Sequence, residues 1–414
     1  MVSEKIINDS AAKTLLVFKD QLYKEWLSIL RYWSLNTLDE QYGGFYGSVD
    51  NNNIAQTGAA KGIVMNSRIL WTFSASSFHL KNKLGREVAD RAFNYIMDHF
   101  ADADYGGVYW SVDHKGNVLD GKKQVYGLAF CIYGMSEYYK LSKNQAALDL
   151  CIDLYKCIEQ YSYDKQFGGY YEAFTKDWEA IDDLRLSEKD ENEKKTMNTH
   201  LHIIEAYANL YRVWPDKELK LKIVDLLDVF DKYIINKDSY HLNLFFDEQW
   251  NSRASLISYG HDIEAAWLLL QCAETIQNSH YTALFKDYAM EIAYSATEGL
   301  ANDGSLVYEY EPLDELLVAE KHSWPQAEAM IGFFNVYQLT GNKKYLQYTL
   351  NNWEFIKENI LDKKNGEWFW GVDENNNVMP GKDKAGFWKC PYHNSRACME
   401  LINRIDEIIK NEQP

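Results

Sequence analysis

The segment Asp39-Glu-Gln-Tyr-Gly-Gly-Phe-Tyr-Gly-Ser-Val-Asp50 places two adjacent glycines among aromatic residues, and the chain repeats this arrangement. Two further copies lie at 104–113 and 164–172, weaker copies lie at 244–250 and 303–310, and the last copy lies at 364–373. The recurring glycines, at positions 43, 106, 168, 304 and 366, are separated by 63, 62, 136 and 62 residues, and the longest gap contains the weakest copy. Because a fixed period is typical of repeat architectures, the sequence predicts six units of roughly 60 residues.

The stretches between these segments have apolar residues at every third or fourth position, which is the pattern of amphipathic helices. The predicted helices are 66–80, 87–99, 126–141, 145–159, 197–213, 219–235, 261–277, 281–297, 324–339, 344–360 and 391–411. The glycine-aromatic segments, with alternating apolar residues, indicate turns or short strand pairs. Two helices per unit predict one all-α toroid over residues 1–414, in which inner helices begin at a cleft and outer helices surround them.

The composition narrows the range of functions. A net charge of −18 argues against nucleic acid and anionic membranes as partners. The aromatic content is 15%, with 13 Trp and 30 Tyr, and flat aromatic faces are suited to stacking against sugar rings. The six cysteines lie mostly in apolar helical patterns, without the spacing of a metal motif, and the N-terminus does not resemble a signal peptide. We therefore expect a cytoplasmic protein with reduced thiols.

The segment 258–267 holds the strongest candidate for chemistry. Gly260 marks the point at which a predicted helix begins, and the first turn of that helix carries His261 and Glu264. Residues three apart lie on the same helix face. An imidazole titrates near neutral pH, and a carboxylate beside it fixes its tautomer, so this pair suits proton transfer. A polar helix cap above a buried face is the alternative interpretation.

Further polar groups mark the starts of other inner helices. Arg68 stands among apolar residues, which favours either a structural salt bridge or contact with a ligand. Asn198 and His202 are four apart and share a face, whereas His200 lies on nearly the opposite side of the same helix. We therefore expect His202 to face the cleft. The His-x-His spacing suits zinc on a strand better than on a helix, so no metal is expected.

Three aromatic residues and His393 complete the set of candidate site residues. Tyr126 stands at a helix start, and Trp324 precedes Pro325, which is typical of a first helical turn. Trp388 precedes His393 in the last unit. Each of these could be ordinary packing when considered alone. Two histidines at helix starts suit proton removal from one face of a carbon and return to the other, with Arg68 or His202 stabilising the enediolate between.

These motifs together resemble one known family. The chain resembles the N-acylglucosamine 2-epimerase superfamily and, within it, the cellobiose 2-epimerases. The resemblance runs nearly end to end and is carried by Asn66-Ser-Arg-Ile-Leu-Trp71, Asn198-Thr-His-Leu-His-Ile-Ile-Glu-Ala-Tyr207, Gly260-His-Asp-Ile-Glu-Ala-Ala-Trp267, Trp324-Pro-Gln-Ala-Glu328 and Trp388-Lys-Cys-Pro-Tyr-His-Asn-Ser-Arg396.

The resemblance implies an (α/α)6 barrel that epimerises C2 of the reducing-end glucose of β-1,4-linked disaccharides without a cofactor. Cellobiose would give glucosyl-mannose, and lactose would give epilactose. His261 and His393 would be the acid/base pair, and Glu264 a partner in the His261 network. Arg68 and His202 would hold substrate oxygens. The residues implied to contact sugar are Trp324, Trp388, Tyr126, Asn198 and Asp190.

Alternatives remain open at this point. Mannobiose 2-epimerases, N-acylglucosamine 2-epimerases and mannose isomerases would share the two-histidine chemistry. An (α/α)6 glycoside hydrolase or lyase would need a carboxylate in the cleft, for which Glu264 and Glu328 are candidates. A non-catalytic sugar-binding protein would keep the tryptophans and tolerate loss of His261 or His393. We expect a small-molecule disaccharide as the only partner, and a monomer or weak dimer.

Overall fold

Twelve α-helices form two concentric rings in residues 9–80 and 83–411, which are the residues that this computed structural model describes. The inner helices are α2 (Ile63–Leu80), α4 (Val125–Ser142), α6 (Met197–Tyr211), α8 (Tyr259–Thr275), α10 (Ser323–Thr340) and α12 (Tyr392–Asn411). The outer helices are α1 (Asp9–Asn36), α3 (Lys83–His99), α5 (Gln145–Cys157), α7 (Lys217–Val229), α9 (Ser279–Ala296) and α11 (Lys343–Phe355).

The inner ring is closed. Each inner helix packs on the next, from α2 through α10 to α12, and α12 returns to contact α2. Each outer helix packs mainly on one inner helix, and α1 packs on α12, so the first helix of the chain completes the last unit. This arrangement confirms the predicted (α/α)6 barrel.

Burial separates the two rings in the way the sequence pattern requires. The inner helix α4 buries residues on all of its faces between Val125 and Tyr138. The outer helix α5 buries one stripe, formed by Ala147, Leu148, Cys151, Leu154 and Tyr155. A helix that is apolar all round is buried, whereas a single stripe leaves the other face to solvent, so pattern alone assigns α4 inside and α5 outside.

Helix α1 was not predicted from the sequence. Its buried residues Leu15, Phe18, Leu22, Trp26 and Ile29 are three or four apart, which is a clear helical pattern. It precedes the first glycine-aromatic segment, so dividing the chain at those segments left it outside the repeat. The other eleven predicted helices are present, although their ends differ by a few residues.

The glycine-aromatic segments are tight turns fixed to the inner helices. Gly43 and Gly44 have φ of 78° and 61°, a left-handed conformation that glycine adopts without strain. Asp39 accepts hydrogen bonds from the backbone N–H groups of Gln41 and Tyr42 and pairs with Lys61 Nζ at 2.7 Å, just before α2. The equivalent buried pairs are Lys123–Asp102, Lys195–Asp164 and Lys384–Asp362.

Short strands link successive units. The strands that precede inner helices are β1 (Lys61–Gly62), β4 (Lys123–Gln124), β6 (Lys195–Thr196), β8 (Ile257–Ser258) and β11 (Lys321–His322). The others are β2 (Ser111–Val112), β3 (Val118–Asp120), β5 (Ala173–Phe174), β7 (Phe245–Phe246), β9 (Glu309–Glu311), β10 (Leu316–Val318) and β12 (Gly371–Val372).

The antiparallel pairs β1–β2, β4–β5, β6–β7, β8–β9 and β11–β12 each join the start of an inner helix to the next unit. Hairpins within one unit, as predicted, are also present, for example β2–β3 and β9–β10. The cross-unit pairing fixes the starts of the inner helices at one end of the barrel. None of the helices in the described residues has the length and apolar content needed to cross a membrane.

Candidate active site

A cavity of about 580 Å³ lies at the end of the barrel where the inner helices begin. All ten residues predicted as site residues line it, although they come from all six inner helices and two loops. They are Arg68, Tyr126, Asp190, Asn198, His202, His261, Glu264, Trp324, Trp388 and His393. The repeat explains this convergence, because equivalent helix starts meet at one end of a closed ring.

His261 is fixed in the first turn of α8. Its Nδ1 lies 2.8 Å from the hydroxyl of Ser258, the residue immediately before the helix, so Nε2 is the nitrogen available to a ligand. Its ring lies 4.8 Å from the indole of Trp324. Burial, and secondarily the charge of His202, lowers the pKa of His261 to about 3. The imidazole is therefore neutral at pH 7 and can accept a proton.

His393 lies on the other side of the same indole. Its ring is 5.5 Å from that of Trp324, and its Nδ1 lies 2.6 Å from Oε1 of Glu328. Burial, followed by the charges of Arg68 and Arg396, lowers the pKa of His393 well below its ordinary value. Both histidines are therefore neutral bases that contact one tryptophan in one cavity.

The predicted pairing of His261 with Glu264 is wrong. Glu264 Oε1 instead accepts a hydrogen bond of 2.6 Å from Nη2 of Arg396 and lies 4.0 Å from Nδ1 of His393. The His261 ring turns back toward Ser258 at the helix end, whereas Glu264 lies one turn deeper, where the guanidinium attracts it. Glu264 thus belongs to the surroundings of His393.

Arg68 provides positive charge on the cavity wall. Its Nη2 donates to the Tyr126 hydroxyl at 2.8 Å, and its guanidinium lies 4.1 Å from the ring centre of Phe130 and 4.9 Å from that of Tyr392. Among the described residues, three aromatic rings, those of Tyr126, Phe130 and Tyr392, contact this charge. A cation held in this way keeps its attraction for a negatively charged group in the cavity.

The two histidines of α6 have different surroundings. His200 is fully buried; its Nδ1 lies 2.7 Å from the Thr196 carbonyl, and its Nε2 accepts from the Tyr170 N–H at 2.9 Å. His202 lines the cavity, with Nδ1 2.8 Å from Oε2 of Glu205. His200 therefore holds the glycine-aromatic turn at 164–172 in place, and His202 is the histidine of α6 that faces the cavity.

Arg396, which was not predicted as a site residue, lies beneath the cavity and contacts three carboxylates. Its Nη1 donates to Glu205 at 2.5 Å, and its Nη2 donates to Glu264 and Glu328 at 2.6 and 2.7 Å. A signal for it exists in the sequence. His202 and His261 are each followed three residues later by a carboxylate, and at the same spacing His393 is followed by Arg396.

Known proteins share both the sequence pattern and the fold. Residues 44–397 match the family N-acylglucosamine 2-epimerase (GlcNAc 2-epimerase). The chain belongs to this family. It is 43% identical to a cellobiose 2-epimerase from Bacteroides fragilis, over 93% of this chain and 99% of that one.

Two solved structures of cellobiose 2-epimerases have the same fold. The enzyme from Bacillus thermoamylovorans is 38% identical, with a TM-score of 0.89 over 94% of this chain and 99% of that one. The enzyme from Spirochaeta thermophila is 35% identical, with a TM-score of 0.91 over 97% of this chain and 100% of that one. As a member of the N-acylglucosamine 2-epimerase family with such relatives, the chain is an isomerase of the epimerase type.

One cluster in this epimerase has the spacing of metal ligands. Ligand atoms of Glu264, Glu328 and His393 lie within 4.8 Å of one another. The Arg396 guanidinium already donates to both carboxylates, so a fixed cation balances their charge where a metal would bind. The chemistry of this donor set therefore does not fit a resident metal.

Trp388 and Asp190 line the cavity from the two loops. Trp388 packs against Trp110 and Tyr126, with ring centres 5.8 and 6.0 Å away. Asp190 Oδ2 accepts from the backbone N–H and hydroxyl of Ser187, and burial raises the pKa of Asp190. The cavity lining also includes residues that were not predicted: Tyr308, Glu309, Glu320, His322, Trp370 and Lys382.

Proposed function

We propose that this protein is a cellobiose 2-epimerase. It would interconvert glucose and mannose at the reducing end of β-1,4-linked disaccharides, including lactose to epilactose, without a cofactor. The observation that carries the proposal is the contact of one indole, that of Trp324, with both His261 and His393 in a single cavity. The relatives named cellobiose 2-epimerase, which align with this chain over nearly all of their length, support this choice of substrate.

The proposed chemistry needs two proton-transfer groups on opposite faces of one carbon. After the sugar ring opens, one neutral imidazole removes the proton from C2, and a cis-enediolate forms. The other imidazole then delivers a proton to the opposite face of this carbon, which inverts the configuration at C2. Arg68 supports this scheme, because its guanidinium faces the cavity and suits the enediolate oxygen.

The size and walls of the cavity support a disaccharide. A volume of about 580 Å³ lies within the range of pockets that enclose ligands of two rings. Trp324 and Trp388 offer apolar faces, and Asn198 and Asp190 offer hydrogen-bonding groups, which together suit sugar rings.

A glycoside hydrolase is disfavoured by the surroundings of the only carboxylates proposed for that role. Such an enzyme needs a carboxylic acid and a second carboxylate free to act on either side of a glycosidic bond. Glu264 and Glu328 both accept hydrogen bonds from Arg396, and Glu328 Oε2 also accepts from the Trp267 indole at 3.0 Å. These contacts orient the carboxylates toward each other and toward His393.

The test is incubation with cellobiose in deuterated water, followed by NMR and chromatography. We expect deuterium at C2, glucosyl-mannose as product and no free glucose. Released glucose would indicate hydrolysis, and the absence of both exchange and cleavage would indicate binding alone. His261→Ala and His393→Ala should each abolish epimerisation, and full exchange in either variant would overturn the role of that histidine. His99→Ala is a suitable control, because His99 lies on the outer helix α3.

We also infer a cytoplasmic location. All six cysteines lie within the described residues and none is in a disulfide, which supports a reducing compartment. Fractionation of the source cells with an antibody to the protein would test this location.

A further inference from the structure

Three carboxylates converge on one guanidinium beneath the cavity. Glu205 of α6, Glu264 of α8 and Glu328 of α10 all accept hydrogen bonds from Arg396 of α12. All four side chains are buried, with no more than 3% of each exposed. If all three carboxylates were ionised, the cluster would carry a net charge of −2, which is costly without water.

Glu264 and Glu328 are the two that compete for the same proton donor. Their Oε1 atoms lie 2.6 and 2.7 Å from the same nitrogen, Nη2 of Arg396, and 4.0 and 2.6 Å from Nδ1 of His393. Two carboxylates that contact the same nitrogen lie close enough to resist simultaneous ionisation, and sharing one proton relieves their repulsion. Glu205 has its own set of donors in Arg396, Tyr392 and His202, so it remains ionised.

We propose that Glu264 and Glu328 share one proton behind His393, and that this proton, delivered through Glu328, decides whether His393 presents a proton donor or a proton acceptor to C2. The proposal rests on the proposed epimerase function and adds a role for residues that do not touch the substrate carbon. Arg396 is the positioning residue that keeps the two carboxyl groups together.

The proton transfer balances without a charged His393. When Glu328 is protonated, its O–H donates to Nδ1 of His393, and Nε2 carries the hydrogen. As Nε2–H gives its proton to C2 of the enediolate, the Glu328 proton moves to Nδ1, so the negative charge passes from the substrate to Glu328. In the opposite direction, Nε2 takes the C2 proton while Nδ1–H returns its proton to Glu328.

The direction of the pKa shifts agrees with this geometry. Burial and the charge of Glu328 raise the pKa of Glu264 to about 7, and burial also raises the pKa of Glu328. Burial lowers the pKa of His393, so this histidine needs a neighbour to supply its proton. The charged or titratable groups that face this cluster are Arg68, His202, Glu205, Tyr392 and Arg396.

The experiment measures the pH dependence of kcat for cellobiose in the wild type, Glu264→Gln and Glu328→Gln. Glu25→Gln is the matched control, because Glu25 is also buried and accepts from an indole, that of Trp368, but does not line the cavity. We expect Glu328→Gln to lower kcat at least about 100-fold, with KM little changed, because an amide cannot pass a proton to Nδ1.

Glu264→Gln has a different expected signature. Removing one negative charge lowers the pKa of Glu328, so the alkaline decline of kcat should move at least about one pH unit lower than in the wild type. Glu25→Gln should keep the wild-type profile. A Glu328→Gln enzyme with wild-type kcat, or a Glu264→Gln profile parallel to that of the wild type, would overturn the proposal.

A direct measurement covers the case in which the variants fail to fold. In wild-type protein labelled with 15N-histidine, the His393 signals should change from the Nε2–H to the Nδ1–H tautomer as the pH rises through 7. A single tautomer from pH 5 to pH 9 would contradict the proposal. Wild-type exchange at C2 tests the epimerase function separately, so failure of the shared proton and failure of the function give different results.

Discussion

Nδ1 of His261 lies 2.8 Å from the hydroxyl of Ser258, and this contact rather than a carboxylate orients the histidine. His393 has the opposite arrangement, since its Nδ1 faces Glu328 at 2.6 Å. The two proposed bases are therefore chemically unequal. A hydroxyl group accepts or donates a hydrogen bond without changing its charge, whereas a carboxyl group can exchange a proton with the imidazole.

Ser258→Ala should weaken catalysis without weakening substrate binding. The variant leaves the imidazole free to rotate and to change tautomer, so we expect kcat to fall roughly 10-fold with KM unchanged. Steady-state kinetics with cellobiose will measure both constants. Ser258→Thr keeps the hydroxyl and should retain most of the activity; an equal loss in both variants would show that packing at this position matters rather than the hydrogen bond.

Arg68→Met should remove stabilisation of the enediolate. The guanidinium acts where negative charge develops, so kcat should fall about 10²- to 10³-fold, with a smaller effect on KM. The measurement is the rate of C2 deuterium exchange, which reports enediolate formation directly. Arg68→Lys keeps the charge but loses the hydrogen bond from the planar guanidinium to the Tyr126 hydroxyl. Its exchange rate should therefore lie between those of the wild type and Arg68→Met. If both variants exchange deuterium at the wild-type rate, Arg68 does not stabilise the intermediate.

The fold could be predicted because its signals are local. The glycine pair Gly43-Gly44 permits the left-handed turn that the backbone adopts there, and helical periodicity distinguishes α4 from α5 without knowledge of their neighbours. The exception, α1, has the same periodicity but packs on α12 at the far end of the chain. Its place in the ring depends on closure, which no local pattern reports.

Sequence pattern could predict which residues line the cavity, but not how their side chains contact one another. Helix starts identify eight of the ten proposed residues that line the cavity, whereas Asp190 and Trp388 reach it from loops. Which carboxylate meets which histidine depends on side-chain direction and on charges from other helices. Glu264 shares a helix face with His261, yet it pairs with Arg396, which lies 132 residues later in the chain. Residue spacing could not reveal that Arg396, rather than His261, is the partner of Glu264.

The buried Lys–Asp pairs should be important for stability. Lys195 Nζ donates to Asp164, to the Gly168 carbonyl and to the Glu248 carbonyl, all within 2.8 Å, and its side chain is fully buried. Lys195→Met leaves the Asp164 charge without its partner, so we expect a loss of about 3–5 kcal/mol in the free energy of unfolding. Urea denaturation followed by circular dichroism will measure it.

A surface pair provides the control for this loss. Lys24 and Asp20 form an ion pair at 2.6 Å, but both side chains are more than half exposed. Solvent screens such pairs, so Lys24→Met should leave the urea midpoint unchanged. Comparable effects of Lys195→Met and Lys24→Met would mean that the buried pair contributes no more than a surface contact.

His200 should make the protein sensitive to acid. Burial lowers the pKa of His200 to about 3, whereas the histidine of the unfolded chain titrates near its ordinary value of 6.5. The unfolded state therefore binds a proton that the folded state excludes, and the stability that His200 provides is present above pH 6.5 and is lost as the pH falls from 6.5 toward 3. The loss is about 1.4 kcal/mol per pH unit in this window.

His200→Gln isolates this effect from the other titrating groups. A glutamine amide does not titrate, so the variant should lack the His200 part of the pH dependence, even if it is less stable at pH 7. Urea unfolding of both proteins at pH 7.5 and pH 5 will show whether the wild-type protein loses stability faster on acidification, by about 2 kcal/mol over this interval. Parallel losses in the two proteins would mean that His200 is protonated in the folded state, and that its contacts with Thr196 and Tyr170 tolerate the charge.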